Sequence, residues 1–516
     1  MKILLLIMLC TASLLTACQD EKLHARTPSE KKIIMIMVDS MTDELLDETL
    51  KSDEFPALRF FMSKGQVYPD LVAPFPSMSV AIEGTIITGE MPYEHKVPGL
   101  TWYDPKEDRI IDYGTSFETL RKLGFKESLE DAYYRLNNVH LNKKSTTIFE
   151  ELQEKGISSG AINTLLYRGK TKHLLQTPLG LNKLIGIDDE VETYGPDIFS
   201  FGSFHRPAVL EDERLPDALI LRAGFTDNYA AEVIKKLIIT NQQPQFLFAF
   251  FPEMDKKTHR NSPPYVKGFK EVDHHLQEIL DVYENWDDAL EDNIFILFGD
   301  HGQASLAEDE EDVKINLHEL YGDYHIAPFK EKPSTGDIVI SNNHRSAFLY
   351  PTNKDVEQEE IALKAMEDKR IALAATDIDD WFTVWAPEVE ESFRFKKDGE
   401  WTDSFGQSWT IEGPEEVLAL TLDHPSKTIS YTEYPDALNQ LSSAILSQPG
   451  SVVVTAKPGH ITFSETAPVH DGGGEHGGIN KDDTLAALII AGTDKEPTSR
   501  RMVDLKGYVL DLLKEE

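Results

Sequence analysis

The stretch KKIIMIMVDS, residues 31–40, decides the reading of the fold. Ile33–Val38 is an unbroken apolar run, and Asp39 follows it directly. A strand with one wet face would alternate apolar and polar residues. An uninterrupted run fits a central parallel strand covered on both faces, with a polar residue at its carboxyl end. TDELLDETL (42–50) then reads as a helix with Thr42 or Asp43 near its N-cap.

The same order recurs along the chain. GISSGAINTLL predicts a strand near 158–164, and QPQFLFAFFPEMD (243–255) one that ends in Asp255. NIFILFGDHG (293–302) predicts another, ending in Asp300 and His301. SVVVTAKPGH (451–460) and TLAALIIAG (484–492) read as late strands, and 115–124, 226–239 and 265–285 as helices. Strands alternating with helices imply an α/β fold, a mostly parallel central sheet with helices on both faces. Such sheets hold ligands beyond the carboxyl ends of their strands, where these acidic and histidine residues fall. The segment beginning near 346 differs, with Lys/Glu-rich helical pieces, aromatics and a hairpin-like FRFKKDGEWTD. The expected organisation is a signal peptide at 1–18, a tether at 19–30 and a core at 31–345. An insertion or cap on the substrate side follows at 346–450, and the C-terminal part of the core at 451–516.

Composition narrows the function. The chain has 516 residues, 41% of them apolar and 27% charged, which is globular rather than disordered. Its formal charge of −38 argues against a nucleic-acid polymer as partner, because phosphate backbones need a basic surface. A small phosphate-bearing substrate stays compatible, since bound cations reverse the sign locally. At the start, Lys2 precedes the apolar ILLLIML (3–9), and LTAC (15–18) follows. This is the grammar of an export signal with a small-residue cleavage site. It resembles a bacterial lipoprotein signal, in which Cys18 becomes the lipidated first residue. The expected location is the extracytoplasmic face of a bacterial membrane, held by the lipid anchor alone. Cys10 and Cys18 are the only cysteines, so cleavage leaves no intrachain disulfide.

The stretch PFPSMSVAIEGTIITG (74–89) places Ser77 and Ser79 at the mouth of an apolar helix. Either hydroxyl can cap that helix, or one can act as a nucleophile. The rest of the polar set weighs on the choice. Asp39, Asp255, His259, Asp300, His301 and the Glu475-His476 pair in a glycine-rich run form an oxygen and imidazole set that suits zinc, or manganese. A single Asp after a strand is ordinarily a turn or cap, and a lone histidine is ordinarily no ligand. Asp300-His301-Gly302 is stronger, because both side chains leave one tight strand end.

Taken in order, these pieces resemble the alkaline phosphatase superfamily, and most of all its nucleotide pyrophosphatase/phosphodiesterase branch. The match runs through Asp39, Ser79 with Thr88-Gly89, Asp255 with His259, Asp300-His301-Gly302 and His476-Gly477, spanning residues 31–302 and 471–478. The resemblance implies two divalent metal ions, Zn2+ or alternatively Mn2+. One would be held by Asp255, His259 and His476. The other would be held by Asp39, Asp300 and His301, with Ser79 facing it as nucleophile. It implies hydrolysis of phosphate esters through a phosphoseryl intermediate on Ser79, leaving Ser77 to cap or orient the turn.

The chain also departs from that branch. Val80-Ala81-Ile82 stands where the branch carries Phe-Pro-Asn, and an isoleucine cannot make the phosphoryl contact of that asparagine. Glu83 comes next, one helical turn from Ser79, either on the substrate side or facing solvent. His344 follows Asn342-Asn343 and is a second substrate-side candidate. Sulfatase chemistry is disfavoured, because Ser77-Met-Ser-Val-Ala81 lacks the Pro and Arg of that pattern. A phosphomutase fits poorly with an export signal. The alternatives carried forward are a phosphomonoesterase, a transferase of phosphoryl headgroups on envelope polymers, and a surface lipoprotein that binds a phosphorylated envelope component without turnover. Oligomeric state has no sequence signature here.

Overall fold

A computed structural model describes residues 31–514 apart from 116–118, 120–121, 179–185, 187, 308–309, 329–330 and 465–471. The signal peptide, the tether and Cys18 lie outside the described residues, as do His470, Asp471 and much of the helix expected at 115–124.

Among the described residues seven strands build the central sheet: β1 (Lys32–Val38), β2 (Gly65–Val72), β3 (Ser159–Ile162), β4 (Ile198–Ser200), β5 (Phe246–Phe251), β6 (Asn293–Gly299) and β7 (Leu485–Ala491). Their order across the sheet is β2-β7-β6-β1-β5-β3-β4. β1 lies between β5 and β6 and is parallel to both, and β3 and β4 extend the parallel set. β7 is antiparallel to β6 and to β2, which makes the sheet mixed at that edge. The uniform run of β1 is explained by its surroundings. Ile33, Met35 and Met37 enter one apolar cluster with the helix Ser79–Thr88, while Ile34, Ile36 and Val38 enter another with helices Asp43–Leu50, Asp227–Ile239 and Val266–Leu280. Helices therefore cover both faces, and no face of β1 is left for polar residues.

Several expected boundaries shift. The strand read as 243–255 stops at Phe251, and Asp255 instead sits on a short helix, Glu253–Thr258. Pro252 marks the break; with φ fixed by its ring and no N–H to give, it ends the ladder. The helix expected over 265–285 ends at Leu280. The piece FRFKKDGEWTD is one strand, Phe393–Asp403, and its antiparallel partner is Ser408–Glu412. The register slips between Lys397 and Trp401, so the glycine sits in a bulge rather than a hairpin turn.

Among the described residues a second sheet, of nine strands, begins at Ile338–Asn343 and Ser346–Pro351 and takes in Val452–Ala456. The second sheet thus draws strands from both sides of the 346–450 range. Val452–Ala456 pairs there with Ser346–Pro351 and Ile371–Ile378, not with the central sheet. The apolar run alone could not assign it, since both sheets bury such strands on both faces.

Candidate metal centre

The carboxyl ends of β1 and β6 lie side by side, because Val38 and Gly299 are paired in register. Asp39 and Asp300 therefore leave adjacent strands at the same level. Ser40, at φ 64, turns the chain sharply after Asp39. Its N–H donates to Asp300 Oδ1 at 3.0 Å, and the His301 N–H donates to the same oxygen at 3.0 Å. Among the described residues that leaves Asp300 Oδ2 and Asp39 Oδ1, both buried, without a hydrogen-bond partner. His301 Nε2 stands 3.4 Å from Asp39 Oδ1 and 3.5 Å from Asp300 Oδ2. Two orphaned carboxylate oxygens facing one imidazole nitrogen form a donor set that fits a divalent cation.

Ser79 is the first residue of the helix Ser79–Thr88, and its Oγ lies 3.5 Å from His301 Nε2. The whole helix beyond Ser79 is buried, and Gly89 ends it in the left-handed conformation, with its N–H on Thr85 O. Neither serine caps it. Met78 is the N-cap residue, and no side chain accepts there. Ser77 instead reaches across the chain: its Oγ donates to Gly478 O at 3.1 Å and accepts from the Gly477 N–H at 3.0 Å. The Ser77 carbonyl holds His476 Nδ1 at 2.7 Å. Ser77 thus fixes the glycine-rich segment against the start of the Ser79 helix.

That contact brings His476 beside a second group. On the Glu253–Thr258 helix and its C-cap, Asp255 Oδ1 lies 3.1 Å from His259 Nε2 and 3.7 Å from His476 Nε2. His259 Nδ1 meets Gly474 O at 2.7 Å. Asp255 also accepts from Ser40 Oγ at 3.2 Å and from the Gln303 amide. The rings of His301 and His476 stack at 3.7 Å, so the two groups adjoin. In each of His259, His301 and His476, Nδ1 is held by a backbone carbonyl. This leaves Nε2 turned to the carboxylates, the orientation that outer-shell carbonyls impose on metal-ligating histidines.

Electrostatics follow from this crowding. Burial, with Asp300 and Asp255 close by, raises the Asp39 carboxyl well above the usual range. Burial acts to raise Asp255 too, but the imidazoles of His259, His476 and His301 outweigh it and hold Asp255 well below that range. Burial opposes charge on His301 and His259, yet the carboxylates of Asp300, Asp39 and Asp255 lift His301 to about 10, and those of Asp255 and Glu475 lift His259 to about 9. Burial and the charge of His301 push His476 well down. His301 and His259 serve here as counter-charges for buried carboxylates, a role a divalent cation would take over.

The residues around this group are placed as follows. Ile82 is fully buried in the apolar cluster on one face of the central sheet. Glu83 does not face solvent: it is fully buried, and its Oε2 accepts from the Leu166 N–H at 2.8 Å. His344 stands with His259 and His476, 5.4 and 5.1 Å from their ring centres. His95 is a core residue held by Thr85 Oγ1 and the Val97 N–H, and burial lowers its imidazole to about 3. His460 turns to Asp312 O. Sequence reading underweighted Glu475, which is fully buried and lies 2.6 Å from His344 Nδ1. Its signal was a carboxylate directly before His476 in a glycine-rich run.

Comparisons with known proteins agree with this architecture. Murine ectonucleotide pyrophosphatase/phosphodiesterase 5 superposes with a TM-score of 0.53 at 13% identity, over 94% of this chain and 95% of that one. An inactivated form of the same murine protein in complex with AMP gives 0.52 at 14%, with the same coverage. The human ectonucleotide pyrophosphatase/phosphodiesterase 5 gives 0.51 at 13%, again over 94% and 95%. These likenesses concern the fold. No curated protein sequence matches the chain. The family model "Type I phosphodiesterase / nucleotide pyrophosphatase" matches residues 33–465. With most of its length matched, and with an alkaline-phosphatase-like α/β fold, the chain belongs to the type I phosphodiesterase/nucleotide pyrophosphatase family.

Proposed function

We propose that the protein hydrolyses phosphodiester or pyrophosphate bonds of small molecules with Ser79 as nucleophile and two divalent cations, Zn2+ or Mn2+. The observation that carries this reading is Ser79 Oγ at the helix mouth, 3.5 Å from His301 Nε2, beside the two orphaned carboxylate oxygens of Asp39 and Asp300. Asp39, Asp300 and His301 would hold one cation next to Ser79; Asp255, His259 and His476 would hold the other. Bound there, the cations would offset charge on the phosphoryl oxygens and ease deprotonation of a hydroxyl or water.

Ser79 Oγ gives up its proton to solvent and attacks phosphorus, the bond to the leaving oxygen breaks, that oxygen departs and takes up a proton from solvent, and a phosphoseryl group forms. Water then attacks phosphorus, the bond to Ser79 Oγ breaks, and the serine regains a proton. Two displacements invert phosphorus twice, so net retention is expected. The N-terminus of the Ser79 helix adds a favourable field for the anion. An asparagine contact to the phosphoryl group has no counterpart at Ile82. The murine protein that gives a similar fold was captured with AMP, which makes nucleotide-like esters the first substrates to try.

The test is turnover of p-nitrophenyl phosphate and bis-p-nitrophenyl phosphate by the full chain, metal-free and with Zn2+ or Mn2+, alongside Ser79→Ala. A cation-dependent preference for the diester, absent in Ser79→Ala, is expected. Preference for the monoester would favour the phosphatase alternative. No turnover of either ester in loaded protein would overturn the general hydrolase reading and leave a headgroup transferase or a binding protein. The lipid anchor belongs to the same proposal. It rests on the apolar run before Leu15-Thr-Ala-Cys18. Among the described residues no helix is long and apolar enough to cross a membrane. Cys18→Ser is expected to release the protein from the membrane fraction, and its retention there would count against the anchor.

A further inference from the structure

We infer that His344 supplies a third imidazole to the cation position of Asp255, His259 and His476, with Glu475 as the carboxylate that orients it. The inference rests on the two-cation reading above and adds to it one ligand, His344, and the carboxylate that orients it.

Three observations converge. First, His344 joins His259 and His476 in a group whose ligand atoms lie within 4.8 Å of one another, and each of the three residues is buried. Second, His344 Nδ1 is committed to Glu475 Oε2 at 2.6 Å. A carboxylate on Nδ1 orients the ring as in carboxylate–histidine–zinc arrangements, and the group of ligand atoms it joins is compact enough for one cation. Third, the backbone adopts an uncommon left-handed conformation where it places His344. The residue occupies the turn between Ile338–Asn343 and Ser346–Pro351 at φ 57, a conformation that favours glycine or asparagine.

The turn is also fixed from its far side. The Arg345 N–H donates to His476 O at 3.0 Å, and its guanidinium donates to Glu475 O at 2.7 Å and to Asp483 at 2.8 Å. Arg345 and Asp483 are both fully buried. The hairpin of the second sheet is thereby locked to the segment carrying His476.

The consequence is an asymmetric pair of sites. Three imidazoles and one carboxylate would serve one cation. The Asp39, Asp300 and His301 position would have two carboxylates and one imidazole. Imidazole-rich sets favour zinc, and carboxylate-rich sets tolerate manganese. Mn2+ is therefore expected to exchange into the Asp39 position first.

The test titrates Zn2+ and Co2+ into the metal-free full chain against a competing chelator and reads stoichiometry, affinity and the visible Co2+ spectrum. The wild type is expected to bind two ions. Glu475→Gln should weaken one of them by about 10–100-fold, the effect of losing an outer-shell partner, with a shifted Co2+ absorption for that ion alone. His344→Ala should weaken the same ion further. Wild-type affinities and spectra in Glu475→Gln, which keeps the volume and a hydrogen-bond acceptor, would overturn the inference even if His344→Ala does not fold. A wild type that binds fewer than two ions would overturn the two-cation reading and this inference together. Two ions in the wild type that neither variant disturbs would overturn this inference alone.

Discussion

Replacing Glu83 with glutamine is expected to stabilise the protein at alkaline pH and to change little in acid. The Glu83 side chain is fully buried one turn into the Ser79 helix. Burial pushes its carboxyl from 4.5 up to about 8; the N–H groups of Leu166 and Leu165 favour the ionised form without cancelling burial, and Asp300 adds to the rise. In the unfolded chain the group ionises near its ordinary value. Between those two values the folded state keeps a proton that the unfolded state has released, so stability falls as pH rises through that window. Below it neither state is ionised and the group contributes nothing. Above it the full cost applies, about 5 kcal/mol at ~1.4 kcal/mol per pH unit. Glutamine can still accept from the Leu166 N–H but carries no charge, so it escapes that cost. The assay is denaturant unfolding of metal-free wild type and Glu83→Gln at about pH 5.5 and about pH 8.5, where the advantage of the variant should widen by about 3 kcal/mol. Comparison with the wild type cancels the titrations of Asp39 and Asp255, which both proteins share. Zn2+ should narrow the gap by offsetting the charge of Asp300. Parallel pH profiles, or an advantage that is largest in acid, would refute the reasoning.

A Cβ at Gly84 would lie 2.7 Å from His95 Cε1, and both nitrogens of that ring are engaged, so Gly84→Ala should cost about 1–2 kcal/mol despite its better helix propensity; a raised melting temperature would contradict this. Arg345→Met strands the buried Asp483 carboxylate and should cost about 3–5 kcal/mol while loosening cation binding at His476, and full stability with two bound ions would refute it. Asp300→Asn keeps the oxygen that receives the Ser40 and His301 N–H groups but replaces the orphaned one, so it should fold and lose the adjoining cation. Elemental analysis showing unchanged metal content would reject that assignment.

What the sequence made legible were features written in adjacent residues. The apolar runs of β1, β5 and β6 are continuous because helices cover both sheet faces, and the polar residues after them fall at the carboxyl ends for the same reason. Asp39 and Asp300-His301 were accordingly readable as strand-end residues. Asp255 was legible as a partner of His259 through its spacing of four, although the strand was expected to reach it. Proline at 252 was the available signal that the strand stops earlier.

What stayed illegible depends on contacts between remote segments. Ser77 read as a cap because a serine before a helix ordinarily is one, yet its partners are Gly477 and Gly478, some 400 residues along the chain. Glu83 could be read as exposed because a carboxylate in a helix usually is, and only the approach of Leu166 from the turn after β3 makes its burial tolerable. His344 lacked any motif, because the second sheet delivers it. Its hairpin meets the glycine-rich segment through Arg345, a residue whose identity makes sense only beside Asp483 and the Glu475 carbonyl. The second sheet therefore cannot be a passive cap on a finished site. Its first hairpin is tied to the segment that carries His476, so a change at Arg345 should register first as weaker cation binding at His476, and a change in the outer strands should not.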